Sequence, residues 1–456
     1  MIKGYIKENG PAKSGPKAGI GRVFMAVSIL LSAFVFTPGV VRSQSITIAG
    51  DADQGEQGRW MKAKIDEFSK QTGINVRYIG SPLSTTETLM LWQQDWAAQT
   101  VDVDIYLIDV IWPAIAAPHA EDLSKYFTPQ EIAEFFPRIV ENNTVNGKLV
   151  AIPFFTDAGL LYYRSDLLEK YGFKNPPSTW SELQSMAQKI QEGERATDKD
   201  FYGFLFQGSA YEGLTCNGLE WIASNGGGHI VESDGKVSIN NPQTKSILKM
   251  VKGWVGTISP KGVTTYQEEE SRNAFQEGHA AFLRNWPYVY ALANGKDSLV
   301  KGHVDVTTLP QGDGPNAGHT STLGGWQLML SKYSKNKDAA AKLIKYFVSF
   351  ETQKDNAIKL TRLPTRPALY EDKDVLAVAP WFARLRPVFE NAVARPSTAT
   401  GANYNKVSTT FFQTTNQILN GTISVDQGVS TMESKMKARY ALTKARTSLD
   451  ILSSVI

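Results

Sequence analysis

The chain has 456 residues, 42% of them hydrophobic and 20% charged, a globular balance that excludes an intrinsically disordered chain. Its formal net charge of +3 is concentrated at the N-terminus, where Lys3, Lys7, Lys13, Lys17 and Arg22 face only Glu8; in the near-neutral remainder nothing points to nucleic acid. The single cysteine, Cys216, excludes an intrachain disulfide, so the fold stands on its core alone.

An uncharged run from Val23 to Phe36 follows the basic segment. Thr37-Pro38-Gly39 then leads to Val41-Arg42-Ser43. Basic, apolar and small-residue parts in that order are the order of a secretory signal peptide, and the run is shorter than the roughly 20 residues of a membrane span. Residues 1–43 are therefore read as a leader cut before Gln44 and the mature chain as exported, the alternative being an uncleaved membrane anchor. The ~410 residues beyond it exceed one hydrophobic core, and two domains are expected.

Ser45–Gly50 reads as a first strand, Trp60–Gln71 as an amphipathic helix stopped by Gly73, and Ile74–Ile79 as an alternating strand. Thr85–Gln99 is helical by pattern, and Asp104–Asp109 is a short buried strand. This β-α-β-α-β order predicts an α/β fold with a parallel sheet, whose ligands sit beyond the carboxyl ends of the strands. Asp51, Asp53, Glu56 and Asp109 follow strands one and three and are candidates on that ground.

A second set of elements begins after Pro153. Leu160–Arg164 is a strand, and Thr179 with Glu182 forms a capping box that opens a helix. Phe201–Phe206 is a strand, Glu212–Ser224 a helix stopped by Gly226-Gly227-Gly228, and Pro242–Gly253 and Glu268–Glu277 are helices. Strands follow at 280–283 and 304–309, then a long helix from Asn336 to Phe350 and a mostly helical end. Cys216 beside an apolar helical pattern reads as a small buried residue rather than a nucleophile.

Arg284-Asn285-Trp286-Pro287-Tyr288 and Thr322-Leu323-Gly324-Gly325-Trp326 set large aromatic faces beside backbone with little side chain. A sugar ring stacks its C–H face on such groups, and glycine leaves the main chain open to its hydroxyls. Three further segments join these: 157–172 (Asp157 to Gly172), Pro176-Pro177-Ser178-Thr179-Trp180 and Phe275–Phe282. Together, from Ile46 to about Tyr440, the chain resembles the extracellular solute-binding proteins of ABC sugar importers. It is most similar to the trehalose/maltose-binding branch, through Glu212-Gly213-Leu214-Thr215-Cys216 and the Arg284–Tyr288 segment.

That resemblance implies a two-lobed periplasmic binding protein fold of type II, with a ligand cleft between lobes joined by three crossing segments. The lobes are expected at 44–153 plus 309–331 and at 154–308 plus 332–456. It implies capture of a disaccharide or α-glucoside of the trehalose, maltose or sucrose type and delivery to a membrane permease. It also implies a monomer with no cofactor, no metal and no enzymatic activity. Glu56, Asp109 and Asp157 look like its sugar-binding carboxylates, Trp286 and Tyr288 like its aromatic pair, and Gly324, Gly325 and Trp326 like its backbone-plus-stacking element. Arg366, in Leu363-Pro364-Thr365-Arg366-Pro367, looks like its late arginine, and Trp112 is placed to flank Asp109.

Buried carboxylates need a cationic partner, and Arg366 is the expected one. Phe155 stands where the branch can carry tyrosine, and 81–91 lacks the branch's arginine, so an altered sugar preference is expected. The alternatives are another small solute such as a polyol, a glycosidase built on two of the carboxylates, and iron capture by Tyr162-Tyr163. In a strand the two tyrosines would point to opposite faces, which favours a structural role.

Overall fold

The structure, a computed structural model, describes residues 44–51, 55–385, 388 and 392–438. The expected leader and Asp53 lie outside the described residues.

The described residues form twelve strands: β1 Ser45–Gly50, β2 Asn75–Gly80, β3 Ile105–Asp109, β4 Thr144–Val145, β5 Lys148–Leu149, β6 Ile152–Ala158, β7 Leu160–Arg164, β8 Tyr202–Leu205, β9 Ala280–Asn285, β10 Val304–Thr307, β11 Leu323–Leu330 and β12 Leu363–Pro364. A six-stranded sheet runs β12-β6-β11-β3-β1-β2, a four-stranded sheet runs β10-β7-β9-β8, and β4 pairs with β5. β1 is parallel to β2 and β3, as the alternating pattern predicts. β11 lies between β3 and β6 and is antiparallel to both.

The helix Gly55–Thr72 forms because Trp60, Met61, Ile65 and Phe68 recur at helical spacing and bury one face. Gly73, at φ +72°, ends it without Cβ strain. Its apolar face joins Ile46, Ile48, Ile105, Phe154 and Leu328 of the six-stranded sheet. Around the second sheet, Trp180, Phe204, Trp221 and Trp254 pack with Phe411 and Phe412 of the helix Tyr404–Leu419. Each such large apolar side chain, fully buried, is worth roughly 1.5–3 kcal/mol. The helix Glu212–Ser224 is buried along almost its whole length. The expected capping box of Thr179 and Glu182 is present.

The two-lobed fold stands, but the expected lobe boundaries shift. β6 stays in the first sheet as far as Ala158, so the chain crosses at Gly159 rather than 153. Residues 309–318 remain with the second lobe: Leu309 lies in its core, and Gly312 and Gly318 donate to Ser224 O. The return comes only where β11 begins. The helix Lys337–Phe347 does not leave at 332, because Leu343, Ile344 and Phe347 fill the first lobe's core. A third crossing follows β12, after which Leu369, Val375 and Trp381 pack with Leu160 and Val306 of the second sheet.

Candidate functional site

The ends of β1 and β3, the middle of β6 and the start of β11 face one cavity together with the first turn of the helix Glu212–Ser224 and the segment 267–270. It encloses roughly 1040 Å³, part of it open to solvent. The two walls touch: Glu212 N donates to Thr86 Oγ1 at 3.2 Å.

Of the expected site residues, Asp109, Asp157, Trp286, Tyr288, Gly324, Gly325 and Trp326 all line this cavity, as do Asp51 and Phe155. Two expectations are corrected. Glu56 occupies the first turn of its helix, half exposed, and pairs with Arg59 at 2.7 Å; the next residue, Gln57, faces the cavity instead. Arg366 pairs with Glu134, donates from Nε to Val348 O at 2.8 Å and covers the Phe135 ring. It does not line the cavity. Its expected place is taken by Arg362, four residues earlier, and by Arg395.

Arg395 holds two carboxylates. Its Nη2 donates to Asp109 Oδ1 at 2.7 Å, and its Nη1 to Glu212 Oε1 at 3.0 Å. Glu212 also accepts from Tyr404 and, at 2.7 Å, from Ser408. Arg362 pairs with Asp51 and lies 4.2 Å over the Phe155 ring. Where the resemblance suggests tyrosine, phenylalanine thus offers its face to a guanidinium. Asp157 shares the cavity with these groups but not their partners. Burial pushes its carboxyl up to about 8, nearby Asp51 and Asp109 add to the shift, and Arg362 opposes it. Burial also raises the Glu212 carboxyl, against the pull of Arg395.

Trp286 is clamped. The Arg284 guanidinium stacks on its ring at 4.0 Å, and Glu268 Oε1 accepts from its Nε1 at 3.2 Å. Glu268 also accepts from Tyr211 Oη at 2.5 Å, and Glu269 from Tyr288 Oη at 2.7 Å. Trp326 meets Trp112 edge-on at 5.5 Å, so Trp112 is a buried support and not part of the lining. Gly324 and Gly325 line the cavity, and both are also demanded by the packing behind it. A Cβ on Gly324 would stand 3.2 Å from Trp286 Cζ3, and one on Gly325 2.7 Å from Phe155 O. Gly325 also has φ +123°, which strains any other residue.

Cys216 lines the cavity, but burial pushes its thiol up, away from the thiolate a nucleophile requires. Tyr162 Oη donates to Trp286 O at 2.9 Å and Tyr163 Oη to Asp305 at 3.2 Å, so the pair divides between two structural contacts. Among the described residues no group of three or more His, Cys, Asp or Glu is placed to hold a metal ion.

Arg362, Arg395, Glu212 and Glu268 were not singled out from sequence as site residues. Glu212 begins a stretch that carried the family resemblance. Arg362 abuts the segment that pointed to Arg366, and Arg395 carries no local signal beyond the proline after it.

The sequence profile of the bacterial extracellular solute-binding protein family matches residues 51–354. A probable ABC transporter-binding protein of Deinococcus radiodurans is 45% identical over 414 residues, covering 91% of this chain and 97% of that protein. The maltose-bound MalE3 of T. maritima superposes with a TM-score of 0.82 at 40% identity, covering 87% of this chain and 99% of that one. An ABC transporter solute-binding protein from Agrobacterium vitis with bound D-mannitol superposes with a TM-score of 0.75. It covers 88% and 99% of the two chains at 23% identity, a likeness of fold alone.

Proposed function

The chain belongs to the family of bacterial extracellular solute-binding proteins, and from that premise we propose that it is the sugar-capturing receptor of an ABC importer. Its ligand is a disaccharide or α-glucoside of the maltose, trehalose or sucrose type, bound in the periplasm and handed by the monomer to a membrane permease. The observation that carries this reading is the cavity itself. Trp286, Tyr288 and Trp326 give it aromatic faces, and Asp109 and Asp157 give it buried carboxyl oxygens.

The chemistry suits a neutral, hydroxyl-rich ring. Indole and phenol faces take its C–H side at about 25 cal/mol per Å² of apolar area buried. Carboxyl oxygens accept hydroxyl hydrogens, in bonds about twice as strong where the acceptor is ionised. Because ligand contacts come from both walls, sugar binds the closed arrangement better than an open one and shifts the population toward it. Closure then presents one joint surface to the permease. The relative that carries maltose supports that choice of sugar.

Titration calorimetry of the mature protein, stripped of carried ligand by unfolding and refolding, tests the reading. Maltose, trehalose, sucrose and glucose are the probes. One-to-one binding with the sugar recovered intact is the expected result. Heat from mannitol alone would move the ligand to the polyols, and consumption of sugar would overturn the receptor reading.

A further inference from the structure

Glu220 and Arg284 form a buried ion pair behind the site, with at most 1% of either side chain exposed. Arg284 Nε donates to Glu220 Oε2 at 2.8 Å, and Nη1 to Gln207 Oε1 at 3.0 Å. An apolar pair of similar volume usually stabilises a core at least as well as a buried ion pair. Stability is therefore a weak account of these charges, and their surroundings supply a better one.

The front of the pair is the aromatic platform, where the guanidinium lies 4.0 Å over the Trp286 ring. Its back is the crossing between the lobes. Thr322 N, one residue before β11, donates to Glu220 Oε1 at 3.1 Å. Thr322 Oγ1 donates to Cys216 O at 3.0 Å, on the helix that carries Glu220. Ser321 Oγ donates to Gly159 O at 2.7 Å, which ties the first two of the three crossing segments together. At Gly159, the residue joining β6 to β7, a Cβ would fall 2.0 Å from Glu220 Oε1 and 2.6 Å from Arg284 Nη2. The carboxylate thus presses on both crossings while it fixes the guanidinium that backs Trp286.

We propose that Glu220 and Arg284 are positioning residues that couple the two crossing segments to the Trp286 platform, so that Glu220 acts on ligand affinity through Trp286. The inference rests on the sugar-receptor reading and deepens it. When the crossings turn, Thr322 moves the carboxylate, the carboxylate moves the guanidinium, and the face offered to the ligand moves with it. Glycine is required at 159 because the pair sits against its main chain.

A double-mutant cycle tests this, with dissociation constants from calorimetry and maltose, trehalose and sucrose as probes. Glu220→Gln keeps the shape and removes the charge. It is expected to weaken binding about tenfold in the wild-type background and to add no further loss beside Trp286→Leu. Equal losses in both backgrounds would mean a merely structural role and would overturn the coupling while leaving the receptor reading intact. If Glu220→Gln does not fold, Glu220→Asp, which retracts the charge by one methylene, takes its place in the same cycle. Wild-type affinity in Trp286→Leu would overturn the coupling and leave the receptor reading intact, whereas no binding of any of the three sugars by the wild-type protein would overturn the disaccharide reading and the coupling with it.

Discussion

Arg395 Nη2 meets Asp109 Oδ1 at 2.7 Å, and through that contact a segment near the C-terminus is fastened to the end of β3. The same guanidinium reaches Glu212 across the cavity, so one buried cation serves a carboxylate from each lobe. Arg395→Met leaves both acids buried without a counter-charge. It is expected to lower the unfolding free energy by about 3–5 kcal/mol, read from urea denaturation. A change below about 1 kcal/mol would mean that water already serves these groups.

Asp157 supplies a pH signature. Its carboxyl is raised by burial to about 8 from an ordinary value of 3.8. The native state holds the proton more tightly than the unfolded chain, so stability falls as pH rises from about 4 to about 8 and the penalty is constant above that. Asp157→Asn abolishes the titration. Its stability relative to wild type is expected to rise by more than about 1 kcal/mol between pH 5 and pH 8. A difference that stays flat over that window would show the carboxyl to be ionised throughout.

The aromatic and acidic linings are separable by affinity. Trp326→Ala and Asp109→Ala are each expected to weaken sugar binding at least about tenfold, measured by calorimetry. Asp109→Ala should also cost stability, because it strips Arg395 of a partner. Trp326→Ala removes the edge contact with Trp112 and should lower the melting temperature less than it lowers affinity. Unchanged affinity in both variants would place the ligand elsewhere.

Two arginines four residues apart make opposite predictions. Arg366→Ala removes a pair with half-exposed Glu134 and should leave sugar affinity within about twofold of wild type. Arg362→Ala removes the ion pair with Asp51 and uncovers Phe155 at the cavity wall, and should weaken binding clearly more. The reverse order of effects, seen in the same titrations, would restore Arg366 to the site.

Gly325→Ala is expected to destabilise the first lobe by about 2 kcal/mol, since the left-handed backbone and the Phe155 carbonyl both reject a Cβ. Chemical denaturation reads this directly. A neutral effect would mean that the β6 backbone yields at no cost.

How much was legible in the sequence follows from where its signals are local. The helix Glu212–Ser224 and the Thr179 cap could be read because periodicity and capping chemistry are properties of adjacent residues. β6 and β11 were not identified as strands. Pro153 interrupts one, Gly324-Gly325 and a bulge after Trp326 interrupt the other, and their alternation is lost. The cavity's aromatics could be named because few residue types do their work. The late arginine could not be chosen correctly, because Arg362, Arg366 and Arg395 differ only in which carboxylates the fold brings to them. Glu56 and Gln57 differ by one helical step of about 100°, less than a sequence pattern resolves near a helix start.

The place of β11 has a consequence in time. A nascent chain that ends at residue 320 already holds β1, β2, β3 and β6, yet the strand that must lie between β3 and β6 is still unmade. The first lobe therefore cannot lock until more than two-thirds of the protein has been synthesised, and its closing helix at Lys337–Phe347 arrives later still.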